Sequence, residues 1–210
     1  MDPSSNKEGA SKEGAILFAC TMNAVRSPMA AAMLRHLTRG GIYIESAGVK
    51  AGEIDPLAVE AMGEIGLEMG KHRPRCFEDL EDGSFDLVIS RHVLWTLPHP
   101  LAAIDDWMRA LRPGGRLAII DGAQYNDASA PPQRENARTS AEYAAVGDRL
   151  PFYGGRPRDE IEALLRAKGL AGVGSDPLED LVEAQMQRLV DEGQEPRRRH
   201  RYAVWGDIPR

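Results

Sequence analysis

The chain alternates short, unbroken apolar runs with stretches in which apolar residues recur every three or four positions. This is the pattern of strands buried on both faces and of the helices that cover them. Ala15 to Ala19 (AILFA) is the first such run and predicts a buried parallel strand. Ser27 and Pro28 then signal a helix start, with Ser at the cap and Pro at the first helical position. Met29, Met33, Leu34 and Leu37 predict a core-facing stripe on that helix, which Gly40 and Gly41 stop. Ile42 to Glu45 predicts a second strand running into Ser46-Ala47-Gly48. Asp55-Pro56 opens a helix through Gly66 with Val59, Met62 and Ile65 inward, and a short helix over Phe77 to Leu80 leads to a third strand, Phe85 to Ser90.

The alternation continues in the second half. Pro100 to Leu111 predicts a helix with Leu101, Ile104, Trp107, Met108 and Leu111 on one face, Arg112 to Gly115 a turn, and Arg116 to Asp121 a fourth strand. Residues 122–150 lack a clear period and read as a long loop with one short helix. Pro157 to Lys168 predicts an amphipathic helix. Two edge strands, near Val173 to Glu183 and His200 to Trp205, are expected to close the sheet, joined by a charged loop, Gln185 to Arg199, with a helical start. The fold class that follows is α/β, a three-layer, mostly parallel sheet with helices on both faces. Ligands in such sheets sit at the carboxyl ends of the strands near a topological switch point, and Cys20 lies there.

Composition narrows the function classes. The chain has 210 residues, 42% of them hydrophobic and 28% charged, and no apolar run approaches a membrane span. Residues 1–14 are polar and read as a disordered tail without a signal peptide, so the protein is expected in the cytoplasm. A net charge of -6 argues against nucleic-acid and membrane partners, and the basic run Arg197 to Arg201 reads as a solvated stretch without aromatic platforms. Cys20 and Cys76 are expected as free thiols. Neither has a second Cys or His at ligand spacing, so no metal and no cofactor is expected.

The candidate chemistry lies between Cys20 and Arg26, separated by the five residues Thr21 to Val25, between a strand end and a helix start. A loop that short points successive backbone N–H groups inward as an anion nest, which favours the thiolate form of Cys20. Thr21, Met22, Asn23, Ala24, Val25, Arg26 and Ser27 are the expected phosphate-binding residues. Arg26 would hold a phosphoryl group bidentately and stabilise the charge that develops during transfer to sulfur. Ser27 is read either as a helix cap or as a hydroxyl that assists the sulfur, and Asn23 either as a brace of the loop or as a left-handed turn residue.

Cys20-Thr-Met-Asn-Ala-Val-Arg26-Ser27-Pro28-Met29, followed by Ser46-Ala47-Gly48, Asp55-Pro56 and His72-Arg73-Pro74-Arg75, resembles the low-molecular-weight protein tyrosine phosphatases, which are related to arsenate reductases. The resemblance covers residues 15–90. It implies Cys20 as nucleophile, Arg26 as transition-state clamp, Asn23 and Ser46 as loop supports and Ser27 as helper of the leaving sulfur. Met22 stands where that family usually has Gly, and the family's Asp-Pro general-acid loop has no recognisable counterpart. Asp121, at the carboxyl end of a strand, is the first stand-in for that acid; Asp127 is the second.

A different resemblance begins at the third strand. Phe85 through Pro100, then Trp107 through Gly115 and a strand ending at Asp121, look like the carboxyl half of a class I S-adenosylmethionine-dependent methyltransferase. The glycine-rich cofactor turn of that family is missing: its place is taken by the Cys20 loop, and Gly172-Val173-Gly174 precedes no helix. The chain therefore reads as a hybrid in which a phosphatase-like half, 15–90, is completed by a Rossmann-like, methyltransferase-type half, 91–210, the two meeting at FDLVIS. The expected function is a cysteine-dependent phosphatase of phosphorylated protein or a small phosphomonoester. A methyltransferase remnant that binds S-adenosylmethionine and a non-catalytic anion-binding or thiol-sensing module are the alternatives.

Overall fold

In the computed structural model, which describes residues 14–122, 145–196 and 201–210, strand β1 (Ala15–Cys20) lies between two parallel neighbours, β2 (Tyr43–Gly48) and β3 (Phe85–Arg91). Beyond β3 follow β4 (Leu111–Asp121), parallel to it, then β6 (Tyr202–Asp207), antiparallel to β4, and β5 (Ala171–Asp176) at the edge. The order β2-β1-β3-β4-β6-β5 confirms the α/β class and the mostly parallel sheet. The chain runs outward from β1 to β2 and then crosses back to β3 on the other side. The switch point is therefore the carboxyl end of β1, where Cys20 stands.

Helices α1 (Arg26–Leu37), α2 (Pro56–Glu64), α3 (Pro100–Ala110), α4 (Arg158–Ala167) and α5 (Glu179–Asp191) complete the described architecture. Asp55 caps α2 as its sequence predicts, its Oδ1 accepting from the Leu57 amide at 2.8 Å with Pro56 behind it. On α3, Ile104 and Trp107 are fully buried beneath the sheet, and the indole meets the Phe77 ring edge-on at 6.3 Å. A smaller cluster of Ala58, Met62 and Met69 fills the space between α2 and α1, taking Val25, Met29 and Val59 against it.

Several expectations are corrected. The stripe on α1 does not face the core as a whole: Met33 is 39% and Leu37 74% exposed, and Ser27, Pro28 and Ala31 are buried instead. The short side chains let α1 lie close to the sheet, which turns its longer ones outward. Ile65 and Leu101 are likewise exposed. Ser27 is no cap, since Val25 occupies that position and the Ser27 hydroxyl is used elsewhere. The turn Arg112 to Gly115 is absorbed into a bulge of β4, because Phe85 pairs with Leu111 but Leu87 with Arg116.

The second half departs most near its end. The expected strand Val173 to Glu183 stops at Asp176, because Pro177 has no amide to pair and the Asp176 carboxylate takes the Leu178 amide at 2.6 Å. Helix α5 begins at Glu179, with Glu179 and Asp180 in its first turn, and its run through Asp191 supplies the helical start expected of the charged loop Gln185 to Arg199. The last strand is not an edge strand: β6 lies inside the sheet, with Val204 fully buried. Residues 1–13, Asp127, most of 122–150 and Arg197 to His200 of the basic run lie outside the described residues.

Trp107 is the largest fully buried side chain. Trp107→Ala is expected to lower unfolding stability by about 3–5 kcal/mol, read as a shift of the urea midpoint at unchanged slope.

Candidate active site

The segment after β2 shapes the loop between Cys20 and Arg26. Val49, Lys50, Gly52 and Asp55 donate their amides to the carbonyls of Cys20, Thr21, Met22 and Ala24 at 3.2, 2.9, 2.8 and 3.2 Å. A trans peptide unit points its N–H opposite to its C=O. With those four carbonyls drawn outward, the amides of Thr21, Met22, Asn23 and Val25 turn to the inner side of the loop. Close approach is a condition of this arrangement. A Cβ on Gly48 would meet the Lys50 carbonyl oxygen at 2.6 Å and the Asn23 nitrogen at 2.7 Å, so Ser46-Ala47-Gly48 ends in the one residue that fits.

Cys20 is 4% exposed, and its sulfur receives the Asn23 amide at 3.2 Å and lies 2.9 Å from Ser27 Oγ. The groups around that second contact can be oriented. Asn23 Oδ1 accepts from the Arg75 backbone amide at 2.9 Å, which can only donate, so the oxygen must face that way and the NH2 the other. Nδ2 then donates to Ser27 Oγ at 3.0 Å and to Ser46 Oγ at 2.9 Å. With its oxygen accepting from Asn23, Ser27 keeps its own proton for another acceptor, and a thiolate at Cys20 would be that acceptor. The sulfur thus has a backbone amide and a hydroxyl within hydrogen-bond distance.

Asn23 is fully buried and holds a left-handed backbone, φ 49°, which Asn tolerates better than most residues. Its two alternatives are thus both realised: it braces the loop and turns it. His72 is a member of the network to which the sequence assigns no role. Its Nε2 lies 3.0 Å from Asn23 Oδ1 and must carry the proton there. The run His72-Arg73-Pro74-Arg75 was the only signal for it. Burial is the main effect that holds the His72 imidazole below its usual 6.5; Arg35 acts the same way, and the Asn23 contact and Glu45 oppose them.

Arg26 is exposed, and its Nη1 donates to the carbonyls of Arg91 at 3.2 Å and His92 at 2.7 Å. The guanidinium is therefore held beside the loop at the carboxyl end of β3. Thr21 Oγ1 lies 3.1 Å from Thr96 Oγ1, whose proton goes to the Val93 carbonyl at 2.7 Å, so Thr21 is the donor of that pair. Met22, the departure from glycine, is 44% exposed and has no positive φ. Gly52 makes room for it: a Cβ there would lie 3.2 Å from Met22 Cε. Ala24 contributes its carbonyl to Asp55, and Val25 leans on the small cluster.

Asp121 is not brought against the sulfur. Strand β3 lies between β1 and β4, so the two carboxyl ends are about 10 Å apart, two strand spacings. The Asp121 carboxylate is buried, 3.3 Å from His92 Nδ1 and 2.9 Å from the Gly122 amide. Burial, and next the Asp121 charge, push the Tyr202 phenol well above its usual range. Cys76 bridges Gly48, which pairs with Cys20, so the two cysteines also stand about two strand spacings apart, beyond the reach of a disulfide without backbone movement. Among the described residues no group of three His, Cys, Asp or Glu side chains is placed to hold a metal ion, and no helix is long and apolar enough to cross a membrane.

Residues 15–92 match the family model described as low molecular weight phosphotyrosine protein phosphatase, and residues 67–119 match a methyltransferase domain. A glutaredoxin arsenate reductase of Synechocystis is 29% identical over 75 residues, 36% of this chain and 57% of that protein. An arsenate reductase of Staphylococcus aureus is 35% identical over 57 residues, 27% of this chain and 44% of its own. The chain spans about half the length of these curated relatives. Among solved structures, a phosphoethanolamine N-methyltransferase 2 of Haemonchus contortus, in complex with S-adenosyl-L-methionine, covers 96% of this chain and 50% of its own at TM-score 0.57 and 14% identity, a likeness of fold alone.

Asn23→Ala strips partners from two buried hydroxyls and a backbone amide, and is expected to cost at least about 2 kcal/mol in a chemical melt. A second expectation concerns pH. Because the folded-state value of His72 is depressed, its contribution to stability is complete above about pH 6.5 and is lost as pH falls through the lower folded value. The thermal midpoint of His72→Gln should therefore fall less than that of the unaltered protein as pH is lowered below about 6.5.

Proposed function

We propose that the chain is a cysteine-dependent phosphatase that hydrolyses phosphomonoesters through a phospho-cysteine on Cys20. The observation that carries this reading is the sulfur at the floor of the loop, receiving the Asn23 amide, with the Ser27 hydroxyl 2.9 Å away. The match of residues 15–92 to the phosphotyrosine phosphatase family supports it and favours a phosphorylated substrate, either phosphotyrosine in a protein or a small phosphomonoester.

In the first step the thiolate attacks phosphorus, the S–P bond forms and the ester P–O bond breaks. Amides on the inner side of the loop and the Arg26 guanidinium take the charge on the equatorial oxygens. Arg26 has Nε and Nη2 without partners among the described residues, so one edge of the fork is available for bidentate contact. In the second step water attacks phosphorus and the S–P bond breaks; the Ser27 hydroxyl then stabilises the departing sulfur. Water is the only co-reactant, so the scheme needs no metal and no cofactor.

The division into a phosphatase-like half, 15–90, and a methyltransferase-like half, 91–210, belongs to the same proposal, as does a cytoplasmic location. The family matches support the division by overlapping between residues 67 and 92, around β3. Of the alternatives, S-adenosylmethionine binding lacks a glycine turn, and arsenate reduction by a Cys20–Cys76 pair is opposed by their separation. A non-catalytic anion site differs from a phosphatase in one measurable respect: phosphate would stabilise the fold with no turnover.

Hydrolysis of p-nitrophenyl phosphate provides the test. Cys20→Ser should abolish turnover, and Arg26→Lys should reduce kcat about 100-fold or more, since an ammonium cannot grip two oxygens in the plane of a fork. Nitrophenol release that survives Cys20→Ser would refute the proposal.

A further inference from the structure

The phosphatase reading leaves the departing alcohol oxygen without a proton donor, because no acid loop is recognisable and Asp121 lies two strands from the sulfur. Resting on that reading, we propose that His92, oriented by Asp121, is the group that protonates the leaving oxygen and then takes a proton from the attacking water.

Three observations place His92 for this work. In the pairing of β1 with β3, Ala19 stands opposite Ser90, so Arg91 is level with Cys20 and His92 is the next residue beyond the sulfur. Its carbonyl accepts from Arg26 Nη1 at 2.7 Å, which puts it in direct contact with the residue that would grip the phosphoryl group. Its ring Nδ1 faces Asp121 Oδ1 at 3.3 Å, and Nε2 makes no hydrogen bond among the described residues. A carboxylate on one ring nitrogen and an open site on the other is the arrangement that fixes which nitrogen exchanges the proton.

The backbone points the same way. His92 has φ 52°, a left-handed conformation uncommon outside glycine, and its amide is tied to the Ile120 carbonyl at 2.9 Å. This turn takes the chain off the end of β3 and brings carbonyl and ring to opposite tasks, one on Arg26 and one on Asp121. Asp121 has a side chain 4% exposed and a second bond from the Gly122 amide, so it is held too firmly to reach substrate. It acts through His92 and is a positioning residue.

The balance of the reaction closes. As the ester P–O bond breaks, the proton on Nε2 of the imidazolium passes to the leaving oxygen, and the ring is left with Nδ1–H directed at Asp121. When water attacks the phospho-cysteine, Nε2 takes its proton, the new P–O bond forms, the S–P bond breaks and the imidazolium and thiolate are restored.

The experiment compares leaving groups. p-Nitrophenolate departs without protonation, whereas phenolate needs an acid, so the two esters separate proton donation from binding and fold. In a single turnover, which reads the first step alone, His92→Asn, whose side chain tolerates the left-handed backbone, is expected to release phenol from phenyl phosphate about 100-fold more slowly than the unaltered protein and to lose much less on p-nitrophenyl phosphate, while steady-state turnover of both falls with the loss of the base. Asp121→Asn should show the same split, less deeply. His92→Gly, suited to the positive φ whatever becomes of the Asn variant, should regain phenyl phosphate turnover when imidazole is added. Equal first-turnover losses on both esters, no first-turnover loss on either, or no recovery with imidazole would overturn the role of His92 and leave the phosphatase reading intact. An unaltered protein inactive on both esters would remove both.

Discussion

The side-chain amide of Asn23 joins the loop at Cys20 to everything around it. Its oxygen takes the amide of Arg75 and the ring of His72, and its nitrogen serves Ser27 on α1 and Ser46 on β2. These partners come from three segments: the stretch from His72 to Arg75, α1 and β2. An amide is directional, and a backbone N–H can only donate; Arg75 therefore orients Asn23, and Asn23 holds the Ser27 hydroxyl beside the sulfur. Full burial makes the arrangement all or nothing, because a donor left without an acceptor there costs more than the net worth of the bond it loses.

The same constraint explains how two kinds of sequence share one sheet. Strand β3 is covered by both family matches, and its carboxyl end presents the Arg91 and His92 carbonyls to Arg26. Thr96, beyond that end, accepts from Thr21. The loop is thus anchored on one side by the segment after β2 and on the other by the end of β3 and the residues that follow it. A parallel sheet permits this because its strands present the same backbone geometry to either neighbour, whatever chain segment supplies it.

Departures from the phosphatase pattern have local physical answers. Met22 needs no strained backbone, and the glycine that would usually give the loop its clearance is matched by Gly52 across from it. Serine at position 27 contacts the sulfur rather than the helix end, so the start of α1 goes without a side-chain cap.

By itself the sequence determined the alternation of strands and helices, the placement of Cys20 at the switch point, and the grouping of Asn23, Ser27 and Ser46 about it. These follow from local apolar periodicity, from turn and cap signals and from a motif whose members lie close along the chain or recur at familiar spacing. Tertiary structure decided what depends on contacts distant in sequence. It set which face of α1 is buried, that Pro177 turns an expected strand into α5, that β6 enters the sheet's interior, and that His72 and His92 reach the loop and Asp121. Periodicity tells how a segment can be buried but not what buries it, and a histidine gains a role only from the partners that the fold brings to its ring.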